Sequence, residues 1–190
     1  MAEAKNKVKF GLSNFHYAVL DEAAGTYGKP VHVPGSVSLT AEPQGNETTF
    51  YADNMPYFQL TTNNGYSGDI ELAIVPDSML ADLLGFVIDS NGMLVELSDA
   101  LQKPCAVMAQ IEGDARARKV VWFNCKIARP SNDASTTEDS VDVKTDAMSW
   151  VALPRVIGGK RVVKGVIEPT EANKAVYDAF FDDVLEPNFQ

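Results

Sequence analysis

Residues 50–85 read FYADNMPYFQLTTNNGYSGDIELAIVPDSMLADLLG. This stretch joins an aromatic, turn-rich segment to an alternating strand and then to a short, well-punctuated helix. In Asp69-Ile70-Glu71-Leu72-Ala73-Ile74, charge and bulk alternate with a period of two, the pattern of a strand with one face buried and one wet. Pro76 suits the first helical position, where its missing N–H would have no partner in any case. Gly85 suits the left-handed residue that stops a helix. Between them Met79, Leu80, Leu83 and Leu84 recur at helical spacing and form one apolar face.

The segment before the strand holds five aromatics, Phe50, Tyr51, Tyr57, Phe58 and Tyr66, beside Met55. It has no regular core period and is interrupted by Pro56 and by Asn63-Asn64-Gly65. Two readings stay open: a covered loop packed on its own domain, or side chains projecting as an apolar patch that a monomer would not normally tolerate. Interfaces are enriched in Tyr, Phe and Met, which favours the second.

Outward from this stretch, the chain alternates short strands and turns. Residues 8–20 read as a first strand with a bulge or bend near Gly11 and Ser13-Asn14. Val31, Val33, Val37 and Leu39 alternate around Pro34-Gly35, a second strand broken by a kink. Residues 42–46 read as a turn and 48–52 as a short strand. Asp89-Ser90-Asn91-Gly92 marks a tight turn before a short strand over 93–97. The best hairpin follows, with Cys105, Val107, Ala109 and Ile111 on one arm and Val121, Phe123, Cys125 and Ile127 on the other. A register that sets Cys105 opposite Cys125 puts both sets on one buried face, and Met108, Gln110, Glu112, Trp122, Asn124 and Lys126 on the other. Residues 130–140 are polar and aperiodic, a loop or the tip of a long arm. Strand signal returns over 141–153 and 161–167 around Gly158-Gly159. A last helix is expected from Thr170, a suitable cap, to about Leu185, with Tyr177, Phe180, Phe181 and Val184 on its apolar face. Its C-terminal half carries Asp178, Asp182, Asp183 and Glu186, where the helix dipole disfavours anions.

Eight to ten short strands, two helices and no βαβ rhythm describe a mainly β chain, an antiparallel sandwich or partly rolled barrel with flanking helices. The open strand edges of such a sheet want partners, and a closed ring of subunits provides them. At 190 residues and 45% hydrophobic, one domain with a sizeable core is expected, and no apolar run reaches the roughly 18 residues of a membrane span. The start, MAEAKNKVKF, lacks an apolar signal region, so the product is expected to stay in the cytosol of the cell that makes it. The net charge of −10 makes a DNA-reading protein a poor fit, the basic clusters at 5–9 and 116–119 being short. A surface past which DNA slides without sticking is compatible with it.

Little in the sequence speaks of chemistry. His16 and His32 with Cys105 and Cys125 lack any C-x2-C or H-x3-5-H spacing, so structural zinc is not expected, and the cysteines read as reduced core residues. No nucleophile elbow, phosphate-binding loop or H-E-x-x-H occurs, and the acidic neighbours, such as Asp182-Asp183, have no positioned partner. Trp122 and Trp150 read as core or interface aromatics, with sugar stacking as the alternative. Neither an enzymatic role nor a cofactor is expected.

The blocks GLSNFHYAVL (11–20), FYADNMPY (50–57), GDIELAIVP (68–76) and LADLLGF (80–86), with the later TDAMSWVALPR (145–155), resemble in order and spacing the major tail proteins of bacteriophages with long, non-contractile tails, in particular siphophages of Gram-positive hosts. The resemblance spans most of residues 8–155. It implies a tail tube fold, a β-sandwich with a flanking helix, in subunits that form hexameric rings stacked into a hollow tube for DNA passage. Neighbouring subunits would complete an inner β-barrel, and arms would reach the next ring. It makes 1–168 the tube domain and 169–190 a C-terminal helix or arm. Ring-to-ring contacts would fall on the N-terminal arm 1–9, the polar loop 130–140 and the loop 50–66, with Phe50, Tyr51, Asp53, Met55, Tyr57, Phe58 and Tyr66 as the named residues. The helix 76–84 would pack outside the sandwich. The implied partners are further copies of the chain, a tape measure protein inside the tube, and terminator and initiator proteins at its ends. DNA would be met only in passage, no membrane would be bound, and the protein would end in the virion tail after synthesis in the host cytoplasm. The rival reading is a monomeric sandwich that binds carbohydrate or a host surface through Trp122, Trp150 and the tyrosines.

Overall fold

The computed structural model describes residues 11–131 and 144–189. The N-terminal arm 1–9 and the polar loop beyond Ser131 lie outside the described residues. The chain begins with β1 (Leu12–Asp21), turns into β2 (Thr26–Tyr27), and continues as β3 (Val31–His32) and β4 (Ser36–Leu39). Next come β5 (Glu42–Gln44), β6 (Glu47–Ala52), β7 (Met55–Thr61), β8 (Gly65–Leu72) and helix α1 (Asp77–Leu84). The short pair β9 (Val87–Ile88) and β10 (Leu94–Val95) precedes the long hairpin β11 (Cys105–Ile111) and β12 (Lys119–Ile127). The rest is β13 (Asp146–Ala152), β14 (Arg155–Ile157), β15 (Lys160–Val162), β16 (Lys164–Ile167) and α2 (Lys174–Asp178), which ends in a single 3-10 turn, Ala179–Phe181. The architecture is mainly β and antiparallel with two helices, as the sequence leads one to expect.

Ten strands belong to one sheet, whose long members run β1-β11-β12-β13-β8. The segment 31–39 closes it. Its first half, β3, pairs with β1, and its second half, β4, pairs with β8, so a strand kinked at Pro34-Gly35 joins the two ends of the sheet into a roll. Gly35, at φ 83°, takes the left-handed turn of that kink. The bulge in β1 falls where the sequence places it, with Asn14 at φ 52° and the β1–β11 register shifting between Ser13 and His16. One expectation changes here. Among the described residues, β2, β3, β4 and β5 cover the margins of β1 and β8, while β16 pairs with β12 alone and each strand of the β6–β7 pair has one unpaired side.

Inside the roll, Phe15, Tyr17, Ile70, Leu72, Met148 and Trp150 pack with Met79, Leu80, Leu83 and Leu84 of α1. The helix therefore lays its apolar face against the interior cluster, with Asp77 and Ser78 exposed on its other side, as a flanking helix does. Pro76 stands one place earlier than expected, as the cap, with ψ 140°, which puts Asp77 in the first turn where the dipole favours it. Gly85 ends the helix at φ 72° with its N–H donating to the Leu80 carbonyl. In β8 the alternation buries Ile70 and Leu72, but the strand ends there and Ile74 is 74% exposed. Its expected place is taken by Val75, whose N–H donates to Asp146 Oδ2.

The register of β11 and β12 differs from the expected one. Cys105 does face Cys125, but Phe123 and Asn124 then stand where β11 has only Ala106, and Val107 comes to face Trp122. Asn124, at φ 48°, supplies the bulge. A one-residue slip turns every later side chain over. Trp122 and Val120 consequently join the interior cluster, whereas Val121 and Phe123 turn outward with Ala106 and Met108. That outer face is buried as well, because Phe180, Phe181, Val184 and Leu185 of the C-terminal segment fold back over it.

The C-terminal helix is shorter than its periodicity suggests. It starts at Lys174, after Asn173 and Thr170 bond each other's backbone N–H through their side chains. Its acidic residues have a use. Lys119, almost buried, donates to the Tyr177 carbonyl at 2.7 Å and lies 4.1 Å from the centre of the Tyr177 ring. Burial lowers the Lys119 pKa, and the nearby Asp178 and Asp182 work against that shift.

His16 and His32 are cross-strand partners with ring centres 4.9 Å apart, and His16 stacks on Phe181 at 4.5 Å. Burial lowers the His16 pKa first, opposed by its Nδ1–H bond to the Asn14 carbonyl, with the neighbouring His32 lowering it further. A histidine whose folded pKa lies below its unfolded value of 6.5 contributes full stability above that pH and loses it as pH falls. Melting temperature is accordingly expected to decline from pH 7 to pH 5, and a His16→Gln variant to lose part of that slope in thermal scans. An unchanged slope would show that His16 is not the group responsible.

Candidate functional site

Thr48, Thr49, Phe50 and Tyr51 favour an extended chain. The residues Asp53 and Asn54 then both take positive φ, 51° and 60°, the two-residue hairpin turn for which Asp and Asn are suited. β6 and β7 pair from Glu47↔Thr61 to Ala52↔Met55. Pro56 does not break the hairpin, because it sits at a register shift, where a missing N–H costs no ladder bond. At the base, Asn46 and Thr62 exchange bonds, and β5 pairs with β8. The loop expected over 50–66 is thus a regular β-arm, about 20 Å long at 3.3 Å per residue for six residue pairs.

The arm has two unlike faces. Gln59 donates to Glu47 across one, in line with Thr49 and Thr61. Phe50 faces Phe58 and Thr48 faces Leu60 across the other. Every residue of β7 is exposed, Tyr57 at 75% and Phe50 at 61%. Of the residues named from the sequence, Phe50, Tyr51, Asp53, Met55, Tyr57 and Phe58 come together on this arm. Tyr66 does not. It lies on β8 at the arm's base, half-buried on the interior cluster, with Lys164 Nζ 5.3 Å from its ring centre. Leu60, 51% exposed, completes the apolar face and went unnamed, although its period-two spacing from Phe58 marks it.

The other candidates are interior. Trp122 and Trp150 pack edge-to-face at 5.2 Å inside the roll, so neither offers a face to a sugar, and the expected alternative of carbohydrate stacking on them is corrected. Cys105 and Cys125 are free, buried thiols, with burial pushing Cys105 up to about 12. They lie in the interior cluster, whereas His16 packs on Phe181 outside it. No group of three or more His, Cys, Asp or Glu among the described residues is placed to hold a metal ion. No helix among the described residues is long and apolar enough to cross a membrane.

No family model matches the chain, and neither does any curated protein. Among solved structures, the chain is similar to one from the extended-state sheath–tube complex of an extracellular contractile injection system, PVC. The likeness has a TM-score of 0.37 at 14% identity and covers 82% of this chain and 89% of that one. At that level it carries no argument.

What the site can do follows from its surface. An aromatic side chain buries roughly 150–250 Å² when covered. Four rings more than half exposed therefore leave on the order of 400 Å² of apolar surface in water, shared between the two faces and comparable with the largest patch of a typical monomer. An isolated two-stranded ribbon is marginal by itself.

Proposed function

We propose that this chain is a structural, self-assembling subunit of a phage tail tube, in which hexameric rings stack around a lumen for DNA. The observation that carries this reading is the arm, a hairpin with an apolar face that nothing among the described residues covers. The resemblance of the sequence blocks to major tail proteins supports it. In this reading 1–168 forms the tube domain, and 169–190 is the C-terminal segment that braces the sheet from behind. The arm, the segment 1–9 and the loop 130–140 make the ring-to-ring contacts. Side-by-side contacts within a ring fall on the short outer strands, β16 with its exposed Val166 among them. A net charge of −10 suits a wall that DNA passes without adhering. The expected partners are further copies of the chain, a tape measure protein in the lumen, and terminator and initiator proteins at the ends. The working location is the virion tail.

Sedimentation and negative-stain microscopy of the full chain at rising concentration test this reading. Six-fold rings or tubes are expected. A monomer at every concentration would end it.

A further inference from the structure

The chain has two histidines, and the fold brings both to one place. His16 of β1 stands opposite His32 of β3, and Phe181 lies nearly flat on the other ring of the pair, 18° from the plane of His16. Phe181 belongs to the C-terminal segment that folds back over the outer face of the sheet. His16 is therefore in contact with the element that covers that face.

The rest of that segment is held by groups of another kind. Lys119 Nζ donates to the Tyr177 carbonyl, the Tyr177 hydroxyl donates to the Ala117 carbonyl at 2.6 Å, and Arg155 pairs with Glu186 at 3.0 Å. Lys160 Nζ lies 4.4 Å from the centre of the Phe189 ring. None of these contacts uses a histidine, the side chain whose ordinary pKa falls between pH 5 and 8. The segment also packs on a cluster separate from the interior of the roll, so it can open while the interior stays closed.

The surroundings of His16 disfavour a second proton on its ring. The Asn14 carbonyl accepts from Nδ1, which leaves Nε2 to take a proton in acid. β3 contributes His32, a like charge once protonated. β11 contributes Met108, which carries no charge, and the carboxylate just beyond that strand, Glu112, accepts from the Ser13 hydroxyl. β12 contributes Lys119, whose Nζ lies 5.0 Å from the centre of the Phe181 ring, with Asp178 and Asp182 of the segment acting on it. An imidazolium is attracted by a stacked ring, but Phe181 already faces the Lys119 ammonium and would serve two cations at once.

We propose that the C-terminal segment is a proton-linked latch: in mild acid His16 takes up a proton, Phe181 lets go of it, and residues 177–185 lift more often from the sheet. Opening bares Ala18, Ala106, Met108, Val121 and Phe123. It also returns the His16 ring to water, so the latch is closed above about pH 6.5, the ordinary histidine value, and loosens as pH falls below it. The inference does not rest on the self-assembly reading. It goes beyond the expected fall in melting temperature by placing the effect on one segment.

Hydrogen exchange of the full chain in dilute solution at pH 7.5 and 5.5, corrected for the intrinsic rate, tests it. Amides of 177–185 are expected to open several-fold more often at pH 5.5, while those of β8 and β13 keep their protection. His16→Gln is expected to remove the pH effect, and His32→Gln, at an exposed position, to reduce it. In a Phe181→Leu chain the His16 titration followed by NMR is expected to move up toward 6.5. Should His16→Gln lose the wild-type circular dichroism, the His32→Gln and Phe181→Leu chains decide. Exchange of 177–185 that ignores pH, or that speeds up only together with β8 and β13, would overturn the latch. So would a pH effect that survives in both histidine variants.

Discussion

A chain in which residues 47–61 are replaced by Asn-Gly is expected to fold normally and to lose assembly completely. The cut falls between Asn46 and Thr62, which already bond each other, so the new turn closes an existing ladder. The interior cluster loses nothing, because no residue of β6 or β7 belongs to it. A wider deletion would be misleading, since Gly65 and Tyr66 belong to β8 and pair with β13 or β5. The expected effect on assembly is large for a simple reason. Covering on the order of 400 Å² of apolar surface at about 25 cal/mol per Å² contributes roughly 10 kcal/mol per arm before the costs of association. Many copies in register multiply that contribution. Circular dichroism and sedimentation velocity read the two halves of the prediction separately. A variant that fails to fold would place the arm in the core, and one that still polymerises would remove it from the interface.

The second large effect concerns the interior. Trp150→Ala is expected to destabilise the monomer by about 3–5 kcal/mol, the usual range for truncating a buried aromatic. Trp150 is 1% exposed, packs against Trp122, and donates its Nε1–H to the Thr40 carbonyl at 3.1 Å. That carbonyl also explains a glycine. A Cβ at Gly68 would stand 2.1 Å from the Thr40 oxygen, so only glycine lets the two strands approach there. For a chain of this length, the loss corresponds to a fall in melting temperature of roughly 10 °C. Calorimetry measures it directly. A change under about 1 kcal/mol would mean that the tryptophan is not closing the core and would reopen the reading of it as a ligand-stacking surface.

These two residue sets also show what the sequence made legible. The strand at Asp69–Leu72 and the helix to Leu84 could be read because each carries a clean period and its own stop signal, Gly85 most plainly. The kink at Pro34-Gly35 was legible too, although its consequence, a sheet joined end to end, depends on pairing between residues far apart in the chain. β7 was hidden because Pro56 reads as a breaker, yet a bulge accommodates it. The faces of β12 were misread for a related reason. Asn124 takes a left-handed conformation usually left to glycine, and burial on both sides erases the alternation that would reveal a slip. At the site, five of the flagged residues are apolar or aromatic groups brought together on the arm. Tyr66 fell on a different element because the tract of aromatics crosses the hairpin's base.

The central claim is that the aromatic arm is an intersubunit element of a many-copy tube. Cryo-electron microscopy of the full chain at assembly concentration tests it most directly. The account predicts stacked six-fold rings in which Phe50, Phe58 and Leu60 are covered by a copy in the adjoining ring. Rings whose arms stay bare in solvent, or single subunits with the arm folded onto their own sheet, would contradict it.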